Sequence, residues 1–131
     1  MKKSNRFLFL LLIILFSISA LIGCQTKYPV DGKDVLKYIG DGRFQFSRGY
    51  DENGNKYVLL DDESTDVLSE SHTIEPRVYD YKITSGIGYV VGKKGYTKVD
   101  SKTGDIKQSL DINDFNDDDI KQFKKLDSTT K

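Results

Sequence analysis

The chain has 131 residues, with no tryptophan, one cysteine and one histidine. A lone cysteine, Cys24, can make no internal disulfide, so a fold stapled by cross-links is excluded. A lone histidine, His72, with no thiolate beside it is a poor zinc set. Neither an H-E-x-x-H helix nor a G-x-S-x-G elbow occurs, so the familiar metalloprotease and hydrolase signatures are missing. A surplus of charge is missing too: 20 Lys and Arg face 20 Asp and Glu. Phosphate binding needs clustered Lys and Arg. No polybasic patch follows the first residues, which excludes nucleic acid as the expected partner.

Long apolar runs are also scarce, and the one present stands at the start. Lys2, Lys3 and Arg6 open the chain without an acid, and Phe7 to Ile22 then holds only apolar residues, Ser17, Ser19 and Ala20. A charged start, an apolar middle and a small-residue exit is the plan of a secretory signal. The run is shorter than the roughly 20 residues of a membrane-spanning helix. It ends in Leu21-Ile22-Gly23-Cys24, which resembles the lipobox of bacterial lipoproteins. The resemblance implies a diacylglyceryl group on the Cys24 sulfur and cleavage between Gly23 and Cys24. It implies a chain held by lipid on the extracytoplasmic face of a membrane in the bacterial envelope, and it covers only the first 24 residues. Two or three acyl chains anchor stably where one binds marginally. The segment removed carries three bases and no acid, so the remaining 108 residues have an excess of three acids. That length suits one domain, with a core large enough to stand without staples.

The expected organisation is a signal peptide at 1–23, a lipidated tether at 24–30, a single β-rich domain at 31–127 and a disordered tail at 128–131. The tether from Gln25 to Val30 reaches at most about 20 Å, so a partner should also lie near the membrane. Asp31 reads as an N-cap with Asp34 three residues on, and Val35, Leu36 and Ile39 share a helical face. The pattern predicts a short helix over Gly32–Ile39, stopped by Gly40. Gly40-Asp41-Gly42 lacks the third glycine of a phosphate loop and reads as a turn.

From Arg43 the period becomes two. Phe44 and Phe46 alternate with polar neighbours, and Tyr57–Leu60 forms a second strand. Asp51, Asn53 and Asn55 match the first oxygen positions of a calcium loop, but Lys56 and Asp62 occupy places that need Gly and Glu. Asn53-Gly54 between apolar strands reads as a hairpin instead. Asp61 to Pro76 is polar, with Val67 and Leu68 as a short edge strand, and reads as the contact loop. His72 with Ser69, Ser71 and nearby acids suggests a hydrolytic triad only on paper, since triads are assembled in space.

Val78 to Leu110 predicts four strands joined by the turns Ser85-Gly86, Gly92–Gly95 and Ser101–Gly104. The stretch Gly95 to Ile106 looks like the outer hairpin of a quinoprotein-like β-propeller blade. It covers one blade at most, and the chain is too short to close a propeller. Asp111 to Asp119 is dense in carboxylates and amides. Asn116 as a cap, with Asp117, Asp118 and Asp119 in the first turn, accounts for them as a helix start. Phe115 and Ile120 sit at staple positions, and Ile120, Phe123 and Leu126 form an apolar stripe.

The expected fold is therefore α+β: a small antiparallel β-meander of six or seven strands, curled or half-open, with a short N-terminal helix and a C-terminal amphipathic helix. No catalytic residue, metal or cofactor is expected. The expected function is a non-enzymatic binding module for a protein or envelope component. The alternatives are an inhibitor or immunity-type lipoprotein, and a small hydrolase using His72.

Overall fold

The computed structural model describes residues 26–30 and 32–127. The charged start, the apolar run, Leu21, Ile22, Gly23 and Cys24, the cap residue Asp31 and the tail 128–131 lie outside the described residues.

Seven strands follow one another in space as they do in sequence. They are β1 (Val35–Ile39), β2 (Phe44–Tyr50), β3 (Lys56–Asp62), β4 (Thr73–Thr84), β5 (Ile87–Gly92), β6 (Gly95–Asp100) and β7 (Ile106–Ser109). All neighbours are antiparallel in one sheet ordered β1 to β7. A 3-10 turn (Ile112–Asp114) and one helix, α1 (Asp117–Asp127), complete the described residues. The turns of the C-terminal half are where the sequence puts them. Ser85 (φ 52°) and Gly86 (φ 78°) both take positive φ, as a tight hairpin matching the strand twist requires.

The N-terminal helix expected over Gly32–Ile39 is not there: a turn leads directly into β1. The Val35 amide donates to the Gly32 carbonyl at 3.2 Å, and the Arg48 amide to the Asp34 carbonyl at 2.7 Å. Ile39 pairs with Phe44 and Val35 with Ser47. A helix of this length gains few hydrogen bonds for its costly nucleus, whereas β2 presents a full row of backbone partners. Ile39 is fully buried, but Leu36 and Tyr38 are 41% and 42% exposed. The supposed helical stripe thus divides between the two faces of a strand.

The sheet curls so that one face closes on itself. Ile39, Phe44, Phe46, Leu60, Ile74, Val90 and Val99 form this inner core, with Val58, Val78, Tyr81 and Ile83 packed against it. Phe46 of β2 stacks on Tyr81 of β4 with ring centroids 4.0 Å apart. Gly88 is where the layers meet most closely: a Cβ there would overlap Ile39 and stand 2.9 Å from Val99 Cγ2. Irregularities in pairing at Val58/Leu60 and at Val78/Asp80 let β3 and β4 bend, as bulges do. The second one shifts the alternation of β4, leaving Tyr79 59% exposed while Tyr81 and Ile83 pack inward.

The outer face of β5 and β6 is covered by α1, as the apolar stripe predicts. Phe123 is fully buried. Its ring meets Tyr89, Tyr96 and Phe115 edge-on, at centroid distances of 5.3, 5.2 and 4.9 Å. Asn116 caps the helix, its side-chain oxygen accepting from the Asp119 amide at 2.9 Å.

Candidate functional site

Strand periodicity assembles the site. Successive side chains of β3 point to opposite faces, so Asp61 and the loop residue Glu63 fall on one side and Asp62 on the other. Asp62 turns to Arg43, which grips it with both arms of the guanidinium: Nε to Oδ1 and Nη2 to Oδ2, each 2.9 Å. Ser64 adds its amide and hydroxyl to Oδ1 at 2.9 and 2.6 Å. Burial acts to raise the pKa of Asp62, but the bonds from Arg43 and Ser64 outweigh it and hold the carboxyl below its ordinary value. The Asp62 amide donates to the His72 carbonyl at 2.7 Å, and the Glu63 amide to the Arg43 carbonyl at 2.7 Å. The two feet of the β3–β4 loop are therefore tied to each other, and the Glu63 foot also to Arg43 just before β2.

Across the strand pair, Asp61 stands opposite Thr73, which donates its hydroxyl to Asp61 Oδ1 at 2.8 Å. Asp61 is 6% exposed. Its burial raises the carboxyl pKa, with the Thr73 hydrogen bond pulling part of the way back. His72 immediately precedes Thr73, and the register thus delivers the imidazole to the two acids. One ring nitrogen and one oxygen each of Asp61 and Glu63 lie within 4.8 Å of one another. Nε2 stands 3.8 Å from Glu63 Oε1, beyond hydrogen-bonding reach. Nδ1 is buried and has no hydrogen-bond partner among the described residues. A buried polar atom left unsatisfied costs about 1–3 kcal/mol, so this imidazole is held at some expense.

Beyond these feet the loop projects outward. Val67 and Leu68 do not form the expected edge strand but sit in a turn, because Asp66 Oδ1 takes the Leu68 amide at 2.9 Å. An aspartate that binds the backbone two residues on competes with strand pairing. Leu68 is 94% exposed and Val67 72%. Ser69 and Ser71 share a hydrogen bond between their hydroxyls at 2.8 Å; the structure brings His72 together with carboxylates rather than with a serine nucleophile.

The other oxygen-rich stretches are accounted for as structure. Asp51 Oδ1 accepts from the Asn53 and Asn55 amides at 2.9 and 2.8 Å, and residues 51–55 form the hairpin. Hydrogen bonds from Asn55 hold the Asp51 carboxyl below its ordinary value. Near the C-terminus, Asp111 accepts from the Asn113 amide at 2.9 Å. Asp119 receives the Tyr89 hydroxyl at 2.9 Å and Lys98 Nζ at 2.8 Å. Sequence alone gives Asp119 a place in the helix dipole but not these two partners. The fully buried Glu75 accepts the amides of Arg77 and Lys94 at 3.0 and 2.9 Å.

The segment before β1 also lies against the domain. The Tyr28 amide donates to the Asp41 carbonyl at 3.2 Å. Gln45, read as a solvent-facing strand residue, is 2% exposed, with its Nε2 donating to the Pro29 and Gly42 carbonyls at 2.7 and 2.8 Å. The alternation of β2 hides this because the covering segment lies outside the sheet. Cys24 and its flanking motif lie outside the described residues. Among those residues no helix is long and apolar enough to cross a membrane.

Comparison with models of known protein families, with curated proteins and with solved structures finds no match.

Proposed function

We propose that this chain is a lipid-anchored binding protein of the bacterial envelope. It is held on the extracytoplasmic face through Cys24 and engages a protein partner near the membrane through the β3–β4 loop. It acts by binding rather than by catalysis. The observation that carries this reading is the display of Val67 and Leu68 on a loop with both feet fixed. Exposed apolar side chains on a rigid support are how recognition loops are built. The lipobox supports the anchor, and the docking of residues 28–30 on the β1–β2 turn supports a short leash. Arg43, next to that turn, holds Asp62 at the foot of the loop, so loop and leash share one end of the domain.

The test places a photo-crosslinking side chain at position 68 of the full chain in its native membrane. A discrete adduct at 68, absent when the group is moved to Leu110 (80% exposed), is the expected result. No adduct, or the same adducts from both positions, overturns it. Intact-mass measurement tests the anchor separately: a chain still beginning at Met1, or an unacylated Cys24, removes it. Asp66 and Glu70 are exposed on the same loop, which favours an inhibitor of a basic envelope-acting protein as the second reading. Adducts that vanish at high salt point to that reading, since rim charges act through screened attraction.

A further inference from the structure

We propose that Asp61, Glu63 and His72 bind one first-row divalent cation of the zinc type. The site is independent of the lipid anchor and of the partner of the loop.

Three observations carry the proposal. The donors converge from the ends of two paired strands: Asp61 is the last residue but one of β3, Glu63 follows that strand and His72 immediately precedes β4. The imidazole side chain is 11% exposed and makes no bond through Nδ1 among the described residues, while Nε2 stands 3.8 Å from Glu63 Oε1. An ion pair does not explain this arrangement. Protonating the ring adds a second N–H and leaves Nδ1 without an acceptor. Coordination through Nδ1 would instead give that nitrogen the partner it lacks. The spacing also fits. Ligands about 2.1 Å from a tetrahedral ion stand about 3.4 Å apart, and the donors here are within 4.8 Å. Glu63, with a side chain 28% exposed, has room to move, and its Oε1 is already 3.8 Å from His72 Nε2.

The donor types choose the cation. One imidazole with two carboxylates suits zinc and its first-row neighbours. Calcium takes six to eight oxygens, more than two carboxylates supply. The cation's charge balances the two acids. Three protein ligands leave one tetrahedral position for water or for a donor from another molecule. The ion would tie the end of β3 to the start of β4, at the base of the loop that carries Val67 and Leu68.

The chain's single histidine makes the experiment clean. The full, untagged chain in detergent is stripped with a chelator and titrated with Zn2+ by calorimetry. In parallel, the imidazole resonances are followed as Co2+ is added. The expected result is one Zn2+ per chain, with the sole imidazole shifted or broadened by Co2+ and protected by prior Zn2+. His72→Ala and Glu63→Gln should each weaken Zn2+ binding by about tenfold or more, as even outer-sphere changes can. Asp118→Asn, on the exposed start of α1, should leave it unchanged. Absence of Zn2+ binding, an undisturbed imidazole, or unchanged affinity in Glu63→Gln overturns the proposal. If His72→Ala does not fold, Glu63→Gln and the resonances of the unaltered chain decide.

Discussion

Two stretches of this chain are crowded with acids, residues 61–72 and residues 111–119, and the fold uses them in opposite ways. In the second, the acids serve the helix. Asp117, Asp118 and Asp119 sit in the first turn of α1, and Asp119 also binds Lys98 and Tyr89 across the sheet. In the first, Asp62 is spent on structure in its grip by Arg43, and Asp66 in holding the Leu68 amide. Asp61 and Glu63 turn to the other side, where they meet an imidazole with an unclaimed nitrogen. Carboxylate density is therefore no measure of a site. What separates the two stretches is whether the strand register brings in a donor of another kind.

Stability measurements sharpen the contrast. The largest effect is expected for Phe123→Ala, which empties the centre of the aromatic cluster under α1. It should cost about 3–5 kcal/mol, read from the denaturant midpoint, out of a total of about 5–15 kcal/mol for a domain. Asp119→Ala should cost about 2 kcal/mol, because it strands the Lys98 ammonium and the Tyr89 hydroxyl. Glu63→Gln, measured with chelator present, should stay within about 0.5 kcal/mol. Equal costs at Asp119 and Glu63 would erase the distinction between the two acidic stretches. Asn116→Ala removes only the cap and should cost about 1 kcal/mol.

A further expected effect is one of pH. Burial first, and then the hydrogen bond and negative charge of Asp119, push the Tyr89 phenol up to about 12. A raised folded pKa means that the contribution is complete below the ordinary tyrosine value near 10. It fades as pH climbs through the folded value. Phenolate absorbance should therefore show a late step that Tyr89→Phe removes, and the variant should lose less stability at alkaline pH than the parent.

The C-terminal half was legible because its signals are local. Ile87, Tyr89 and Val91 alternate cleanly against Val90, the turns are tight, and Phe123 repeats at helical spacing from Ile120 to Leu126. These residues sit where periodicity puts them. The N-terminal half is governed by contacts that a window of sequence does not contain. Val35 to Ile39 fits a helical stripe as well as a strand, and only the open edge of β2 decides between them. Gln45 is buried by residues 29 and 42, which no alternation announces. The cluster of Asp61, Glu63 and His72 was missed for the same reason. The acids are two apart at a strand end and the histidine just precedes the next strand, but this means little until Asp61 is known to face Thr73.

Consecutive strand order also sets how the chain can fold. Every strand pairs with the next one along, and the longest connection, residues 63–72, is ten residues. Doubling a loop adds only about 0.6 kcal/mol of closure entropy, so no hairpin waits long for its mate, and sheets built from near neighbours form fast. The contacts that must wait are those made when the ribbon rolls up: Phe46 onto Tyr81, and Ile39 against Gly88. Hairpins first and rolling last is the order this topology favours, which leaves the contacts of Ile39 with Gly88 and of Phe46 with Tyr81 as the ones expected to form latest.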